Sequence, residues 1–364
     1  MKETHPLPLR TSLPIVVASS LRERLAQGDW LHLLPGELEL ARELQVGRNT
    51  VRAALAVLEK EGIIRTANGR RREVVARAGT PRPPLANTAA LLLPGPLHTL
   101  PPSALLWMDH LRSRLQAADW QWLTVVDATA FRRAPAPALE ALAARHPGAV
   151  WVLFRSTAAI QRWFEKSGTR AVIAGSCHSG VNLPQVDTDF RAASRHAAAR
   201  LLGLGHRRLA VLAPVVPFPG DEESLQGFQE GVAAVDGASL RRFPIRDSKA
   251  SVIQTLRALL AAREPPTAIF TLEARHTATA MTFLTQQRVQ VPGDISLLSR
   301  DHDGFLNLLV PEPARYERQP EAFAKKLGHL VRVLGSGVPL KQQLHLIMPT
   351  FVRGETLARP PVPR

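Results

Sequence analysis

Apolar positions along this 364-residue chain change period twice. Residues 14–27 put Val17, Leu21 and Leu25 on one helical face, and Gly28 ends the run. In "LLPGELELARELQ" (33–45) Pro35 precedes a short helix with Leu40, Ala41 and Leu44 facing inward. Gln45-Val46-Gly47 then reads as a tight turn. The next helix starts at Arg48, runs to about Lys60 and stops near Gly62. "GIIRTANGRRREVV" (62–75) changes to strand character, with Ile63-Ile64 and Val74-Val75 on either side of Asn68-Gly69, a strong hairpin signal. Three helices and a hairpin predict a winged helix-turn-helix in residues 1–77.

Residues 78–87 carry Pro81, Pro83 and Pro84 and predict an extended, semi-rigid linker. From residue 88 onward, continuous apolar runs alternate with amphipathic segments. The strand candidates are 88–93, 122–127, 149–154, 170–175, 208–213, 267–272 and 294–299. The helix candidates are 103–118, 136–145, 189–203, 222–235, 248–263, 274–287 and 320–334. Buried strands spaced by helices predict parallel sheet covered on both faces. At this length the α/β region 88–364 divides into two doubly wound lobes. No internal repeat is visible.

Charge sharpens the picture of the first region. The chain carries +15, which favours polyanionic partners without naming one. Residues 1–80 hold 13 Lys/Arg against 9 Asp/Glu, net +4, and the rest holds net +11, so bulk charge does not locate a site. Residues 46–72 are more telling, with seven basic residues against Glu59 and Glu61. On a helical projection Val51, Leu55 and Leu58 cluster, while Arg48, Asn49 and Arg52 lie roughly 110° away. The first turns of such a second helix reach base edges. Arginine can take guanine bidentately and asparagine can take adenine. Ala53 and Ala56 permit close approach to a groove, although a solvated face built from good helix formers has the same composition. Arg70, Arg71 and Arg72 follow the hairpin turn and are expected to touch phosphate or minor groove.

Other chemistry is sparse. A single cysteine, Cys177, forbids an intrachain disulfide and fits a reducing cytoplasm. No apolar run approaches a membrane span of roughly 18 residues. "LPIVVASS" (13–20) imitates a short signal segment, but it leads straight into the charged "LRERLAQG". Cys177-His178 suggests nucleophile and base, yet adjacent residues rarely face each other and no third orienting group is visible. The histidines show no metal spacing. "GLGHRR" closes a helix instead of opening one, so it is not a phosphate loop. No enzyme, cofactor or metal is expected.

"LPGELELARELQVGRNTVRAALAVLEKEGII" resembles the winged-helix domain of GntR-type bacterial regulators. Leu34, Pro35, Glu37, Leu40, Ala41, Leu44, Val46, Arg48, Thr50, Val51, Arg52, Ala54, Leu55, Leu58, Glu61 and Gly62 carry the likeness. The resemblance implies DNA contacts by Arg48, Thr50, Arg52 and the wing around Gly69, and Asn68 in the same turn is a further candidate. Leu38 departs from it, standing where the family has a DNA-contacting arginine. Gly36 and Gly47 replace capping serines.

"QVDTDFRAASRHAAARLLGLGHRRLAVLA" (185–213), "TAIFTLEARHTATAMTFL" (267–284), "VPGDISLLSRDHD" (291–303) and "FVRGET" (351–356) resemble the effector domain of LacI-type repressors, which is similar to periplasmic sugar-binding proteins. Gly205-His206 and Pro292-Gly293 are its turns. Its sugar-contacting residues are poorly kept: Ser224 occupies the place of the usual pocket arginine, and Glu273-Ala274 replaces an Asn-Asp pair. Asp301 matches. Ligands in such folds sit in the cleft at strand C-termini. The expected liners are His98, Ser176, Cys177, His178, Ser224, Glu273 and Asp301. With Glu273 and Asp301 both acidic, a cationic group is the expected ligand feature, the alternative being that Arg275 or Arg300 pairs with either acid.

Together these readings predict a cytoplasmic, homodimeric transcription regulator, by family habit a repressor, on a near-palindromic double-stranded operator. A small-molecule effector in the interlobe cleft would tune DNA affinity. The alternative is an effector domain that has lost its ligand and serves dimerisation or a protein partner. A GntR-type aminotransferase fusion would need a longer chain. A periplasmic binding protein would carry a signal peptide and no helix-turn-helix.

Overall fold

The computed structural model describes residues 13–27, 30, 33–67, 71–75, 87–340 and 343–361. The chain divides into two compact units, residues 1–82 and 83–364. The expected Pro-rich linker lies outside the described residues except for Asn87.

The first unit contains α1 (Leu13–Gln27), α2 (Glu37–Glu43), α3 (Arg48–Lys60) and a hairpin of β1 (Ile64–Ala67) and β2 (Arg71–Val74). The helical stripes meet in one small core of Val17, Ala18, Leu21, Leu40, Val51, Ala54, Leu55, Leu58 and Ile64. Leu25 and Leu44 pack at its edge. Gln45 takes the left-handed backbone the turn between α2 and α3 needs, at φ 53°. Strand pairing is antiparallel, with Ile64 opposite Val74 and Thr66 opposite Arg72. Leu33 bridges to Glu73 on the hairpin's other side, and the Leu34 amide donates to the Arg72 carbonyl at 2.9 Å. The first strand therefore begins at Ile64, one residue later than the Ile63-Ile64 expectation. The turn at Asn68-Gly69 lies outside the described residues.

The second unit has two lobes. Lobe 1 is a parallel six-stranded sheet built from β3 (Thr88–Leu93), β4 (Gln121–Val126), β5 (Val150–Phe154), β6 (Ala171–Ala174), β7 (Gln185–Thr188) and β13 (Leu344–Ile347), in the order β13-β7-β6-β5-β3-β4. Its faces are covered by α4 (Pro102–Gln116) and α11 (Pro320–Gly335) on one side, and by α5 (Ala136–Arg145) and α6 (Ala158–Ser167) on the other.

Lobe 2 orders its sheet β14-β12-β11-β10-β8-β9, from β8 (Arg208–Pro214), β9 (Ser239–Ile245), β10 (Ala268–Thr271), β11 (Ser296–Ser299), β12 (Ala314–Glu317) and β14 (Thr350–Val352). Only β14 runs antiparallel to its neighbour. Helices α7 (Phe190–Gly203) and α8 (Pro219–Ala233) cover one face, and α9 (Lys249–Leu260) and α10 (Ala274–Gln286) the other. α7 and α8 approach closely because of Gly227, where a Cβ would stand 2.1 Å from the Arg191 carbonyl oxygen. The chain passes between lobes after β7, after β12 and after β13.

The seven expected strands and seven expected helices all form. Five strands and α6 escaped the pattern. β9, "SLRRFPI", is an edge strand in which arginines and a proline replace the apolar run. β12, "ARYE", buries Arg315 by pairing it with Glu312 and Glu317, so its charge masks a core strand. β7, β13 and β14 are three or four residues long. α6 shows only Ile160 and Phe164 as a buried i, i+4 pair, with Thr157 capping its start by accepting from the Ile160 amide.

Candidate DNA-reading face and interlobe cleft

In the first unit, α3 shows its charged face to solvent. Arg48, Asn49, Arg52, Ala53 and Ala56 are exposed, and Thr50 is half-buried in the first turn. Glu37, at the start of α2, gathers the arginines. Its carboxylate lies 3.4 Å from Arg48 Nε, accepts from Arg52 Nη2 at 3.1 Å and accepts from Arg72 Nη1 at 3.1 Å. Burial pushes the Glu37 carboxyl up, but the bonds from Arg52 and Arg72 outweigh it and hold it below the usual range. Arg72 is thus not a free wing cation: it is turned back onto Glu37, with only 23% of its side chain exposed. Arg71 opens β2, while Asn68, Gly69 and Arg70 lie outside the described residues. Leu38 is 55% exposed.

In the second unit a cavity of about 490 Å³ lies between the lobes, at the C-terminal ends of both sheets. This is the crevice where doubly wound sheets bind ligands. Ser176, Glu273 and Asp301 line it. His98 does not; it is exposed on the short turn Leu97–Thr99, although its neighbours Thr99 and Leu100 reach the cavity. Cys177 and His178 point away. The thiol donates to the Leu183 carbonyl at 3.5 Å, and burial pushes its pKa up to about 11. The ring Nε2 of His178 donates to the Ser156 carbonyl at 3.2 Å. A thiol held so high is a poor nucleophile.

Ser224 is fully buried one turn into α8, beneath the cavity wall. It donates to the Gly220 carbonyl at 2.8 Å and accepts from Arg300 Nη1 at 2.9 Å. Sequence reading offered Arg300 only as a partner for Glu273 or Asp301; it pairs instead with Asp221. Its guanidinium lies in the wall, 2.7 Å from Asp221 Oδ1 and 4.7 Å above the Phe190 ring. Arg318 packs on the same ring at 5.3 Å and pairs with Asp301 at 3.1 Å. Glu273 pairs with Arg275, which also meets Asp247 at 3.1 Å. Both acids expected to attract a cation are therefore already neutralised by arginines.

On lobe 1, Ser176 donates to Asp187, which also accepts from the Thr188 amide at 2.8 Å. Burial pushes the Asp187 carboxyl up to about 6, against those hydrogen bonds and the nearby Arg318 and Arg300 charges. Gly220 lets the lobes approach: a Cβ there would meet Phe190 Cε2 at 2.9 Å and Ser176 Oγ at 3.2 Å.

Comparison with known proteins agrees with both halves. Residues 16–74 match the model of bacterial regulatory proteins of the gntR family. Residues 198–357 match that of the periplasmic binding protein-like domain. The chain joins a gntR-family domain to a periplasmic binding protein-like domain. That pairing makes it a DNA-binding transcription regulator with an effector domain. Solved structures similar to the chain include LacI-type regulators. A putative transcriptional regulator LacI from Bacillus cereus subsp. cytotoxis NVH 391-98 superposes with TM-score 0.66 at 16% identity, covering 75% of this chain and 98% of its own. The LacI family transcriptional regulator from Enterococcus faecium, with bound ribose, gives 0.60 at 19% identity, covering 75% and 99%. The Escherichia coli transcriptional repressor ascG gives 0.62 at 16%, with the same coverage. At these identities the likeness establishes the fold. No curated protein sequence matches the regulator. Among its described residues no helix is long and apolar enough to cross a membrane.

Proposed function

We propose that this regulator is a repressor. It binds a near-palindromic operator as a homodimer and is tuned by a small molecule in the interlobe cleft. The observation that carries the DNA reading is the exposed N-terminal face of α3, where Arg48, Asn49 and Arg52 stand beside small Ala53 and Ala56. Arginine and asparagine at the start of a recognition helix are the side chains that read guanine and adenine. Arg48, Thr50, Arg52 and the wing at Asn68–Arg71 are the assigned contacts. Two-fold symmetric dimers match two-fold symmetric sites.

The cavity supports a ligand over an effector domain kept only for dimerisation. It falls within the roughly 300–1,000 Å³ range of ligand pockets, and ionic and aromatic groups converge in it. The Enterococcus faecium neighbour holds ribose, which supports a small hydroxylated molecule here. The effector changes operator affinity only by as much as it prefers one conformational state over the other.

The test is genomic footprinting of the bound sites followed by gel shift on the recovered operator. Protection of inverted half-sites, with expression rising when the chain is deleted, is expected. Protection of single, asymmetric sites would overturn the dimer, and expression falling on deletion would overturn repression.

A further inference from the structure

The lobes meet at a seam beside the cavity. Ser176, just past β6 in lobe 1, faces Gly220 in the first turn of α8 in lobe 2, where a Cβ would stand 3.2 Å from the Ser176 hydroxyl oxygen. That hydroxyl donates to Asp187 near the end of β7, and Asp187 is only 7% exposed. Opening the cleft draws Gly220 away from Ser176 and admits water to the carboxylate. Closing it removes that water, which is costly only while the carboxylate is ionised.

Asp187 is the odd charge of this seam. Arg300 is matched by Asp221 at 2.7 Å and Arg318 by Asp301 at 3.1 Å, so each arginine is already neutralised by its own carboxylate. Glu273 is paired with Arg275. Arg155 is exposed and packs on Phe218 at 5.4 Å. His302 Nδ1 accepts from Arg315 at 3.0 Å within lobe 2, and His178 is turned to the Ser156 carbonyl within lobe 1. Asp189 accepts from the Ala192 amide at the start of α7, and Asp303 opens the turn Gly304–Leu308. On the sheet, apolar Leu346 of β13 lies opposite Asp187. Helix α11 turns Ala324 and Leu327 inward and Lys325 and Lys326 to solvent. Burial thus outweighs the Ser176 bond and the partly cancelled charges of Arg318 and Arg300, and it pushes the Asp187 carboxyl up to about 6.

Both protonation states fit the same bonds. Ionised, Asp187 accepts from Ser176 and from the Thr188 amide at 2.8 Å. Protonated, it keeps the amide and donates to the Ser176 oxygen, because a hydroxyl serves as donor or acceptor. A proton therefore removes the buried charge without breaking the seam.

We propose that Asp187 and Ser176 form a proton-operated catch between the lobes: a proton on Asp187 favours the closed cleft, and its loss favours the open one. The catch acts with no ligand present, so it goes beyond the effector reading of the cleft. A group that holds its proton more tightly when the lobes are closed draws closure along as pH falls. With the carboxyl at about 6 when closed and at its ordinary 3.8 when wet, the closed-to-open ratio rises about tenfold from pH 7.5 to 5.

Energy transfer between the lobes of the full chain tests it. Glu140→Cys on α5 and Gln254→Cys on α9, both exposed, carry maleimide dyes. The native Cys177 thiol, pushed up to about 11, stays unlabelled at pH 7. Labelled chain diluted in unlabelled chain reports closure within one chain. The closed-to-open ratio should rise about tenfold between pH 7.5 and 5. Asp187→Asn, which mimics the protonated acid, should stay closed across that range. Ser176→Ala costs the ionised form a charge-assisted bond and the neutral form a weaker one, so it should move the response to higher pH. Gly220→Val, whose branches meet Ser176 and Phe190, should give the open value throughout. His302→Gln should respond as the parent does. A constant ratio in the parent overturns the catch, as does a response that survives Asp187→Asn, vanishes in His302→Gln or keeps its midpoint in Ser176→Ala. Closure of Gly220→Val like the parent overturns the seam itself. If Asp187→Asn no longer unfolds cooperatively, the shift in Ser176→Ala decides alone. These measurements use no effector, so a failed catch leaves the effector reading to the operator tests above.

Discussion

Arginines serve both units, in opposite settings. On α3, Arg48 and Arg52 are 62% and 55% exposed and share one carboxylate, Glu37. In the cleft, Arg300 is 6% exposed and its partner Asp221 8%. An exposed pair contributes roughly 0–1 kcal/mol, so the helix arginines can leave Glu37 for DNA at little cost. A buried pair is costly to split, because the group left behind is a charge without water. The same residue type is a detachable contact in one unit and a fixed part of the wall in the other.

Breaking the buried pair should give the largest effect. Asp221→Ala strands Arg300 and also removes the acceptor for the Phe218 amide at the start of α8. Unfolding of the effector unit should become easier by about 3–5 kcal/mol, read from chemical denaturation. Adding Arg300→Met to this variant should restore much of the loss. If the single variant is as stable as the parent, the pair is not a fixed part of the wall. By contrast, Arg52→Ala should leave stability nearly unchanged. It should cost about 1–3 kcal/mol at the operator and relax preference at one base pair. Equal binding of scrambled and operator DNA by the parent would refute that placement of α3.

The contrast also explains which features were legible in the sequence. Exposed arginines beside an apolar 3.6-residue stripe can be found by projection, because their neighbours on the helix are known from the sequence. Leu40, Val51, Leu55 and Leu58 fell inward as periodicity required. The cleft residues come from loops at different strand ends, and no local period says which of them face one another. Asp301 and Glu273 were recognisable as acids near strand ends. Arg275 was a candidate partner for either acid and pairs with Glu273, whereas Arg318 gave no sign of meeting Asp301, and Ser224 lined up with a pocket position yet lies beneath the wall. Arg300 sits next to Asp301 in "SRDHD", the signal that made it a candidate, yet its partner is Asp221. β12 failed for a related reason: a buried, ion-paired Arg315 looks like surface until its partners are known.

Acid acts on the effector unit through three buried or half-buried histidines. His206 is bonded to Thr267 at 2.8 Å and to the Ala358 carbonyl at 2.9 Å. Burial lowers its pKa below the ordinary 6.5, and it does the same to His276 and His196. These groups fold neutral, so the stability they contribute is complete above pH 6.5. It declines as pH falls through 6.5 toward their folded values. Asp187, raised to about 6, acts in the other direction and favours the folded state as pH falls through 6. Effector-unit stability should therefore fall between pH 7.5 and 5, and fall more steeply in Asp187→Asn. Calorimetry across that range checks both slopes. A flat profile in the parent and the variant would mean these histidines do not couple to folding.

The smallest expected effect tests how open the DNA face is. Leu38 follows Glu37 in the first turn of α2 and is 55% exposed, while Leu40 and Ala41 supply the buried stripe. An exposed leucine cannot neutralise a phosphate, and no other described residue is needed to complete the core at that point. Leu38→Arg should thus fold with an unchanged melting temperature. The new arginine lies beside the Glu37 carboxylate, which Arg48, Arg52 and Arg72 already occupy, so it remains free for DNA. Specific and non-specific binding should both tighten, and the slope of log K against log salt should steepen by roughly 0.9, one added phosphate contact. Weaker binding, or a melting point lower by several degrees, would show Leu38 packing against a neighbour or a thymine methyl.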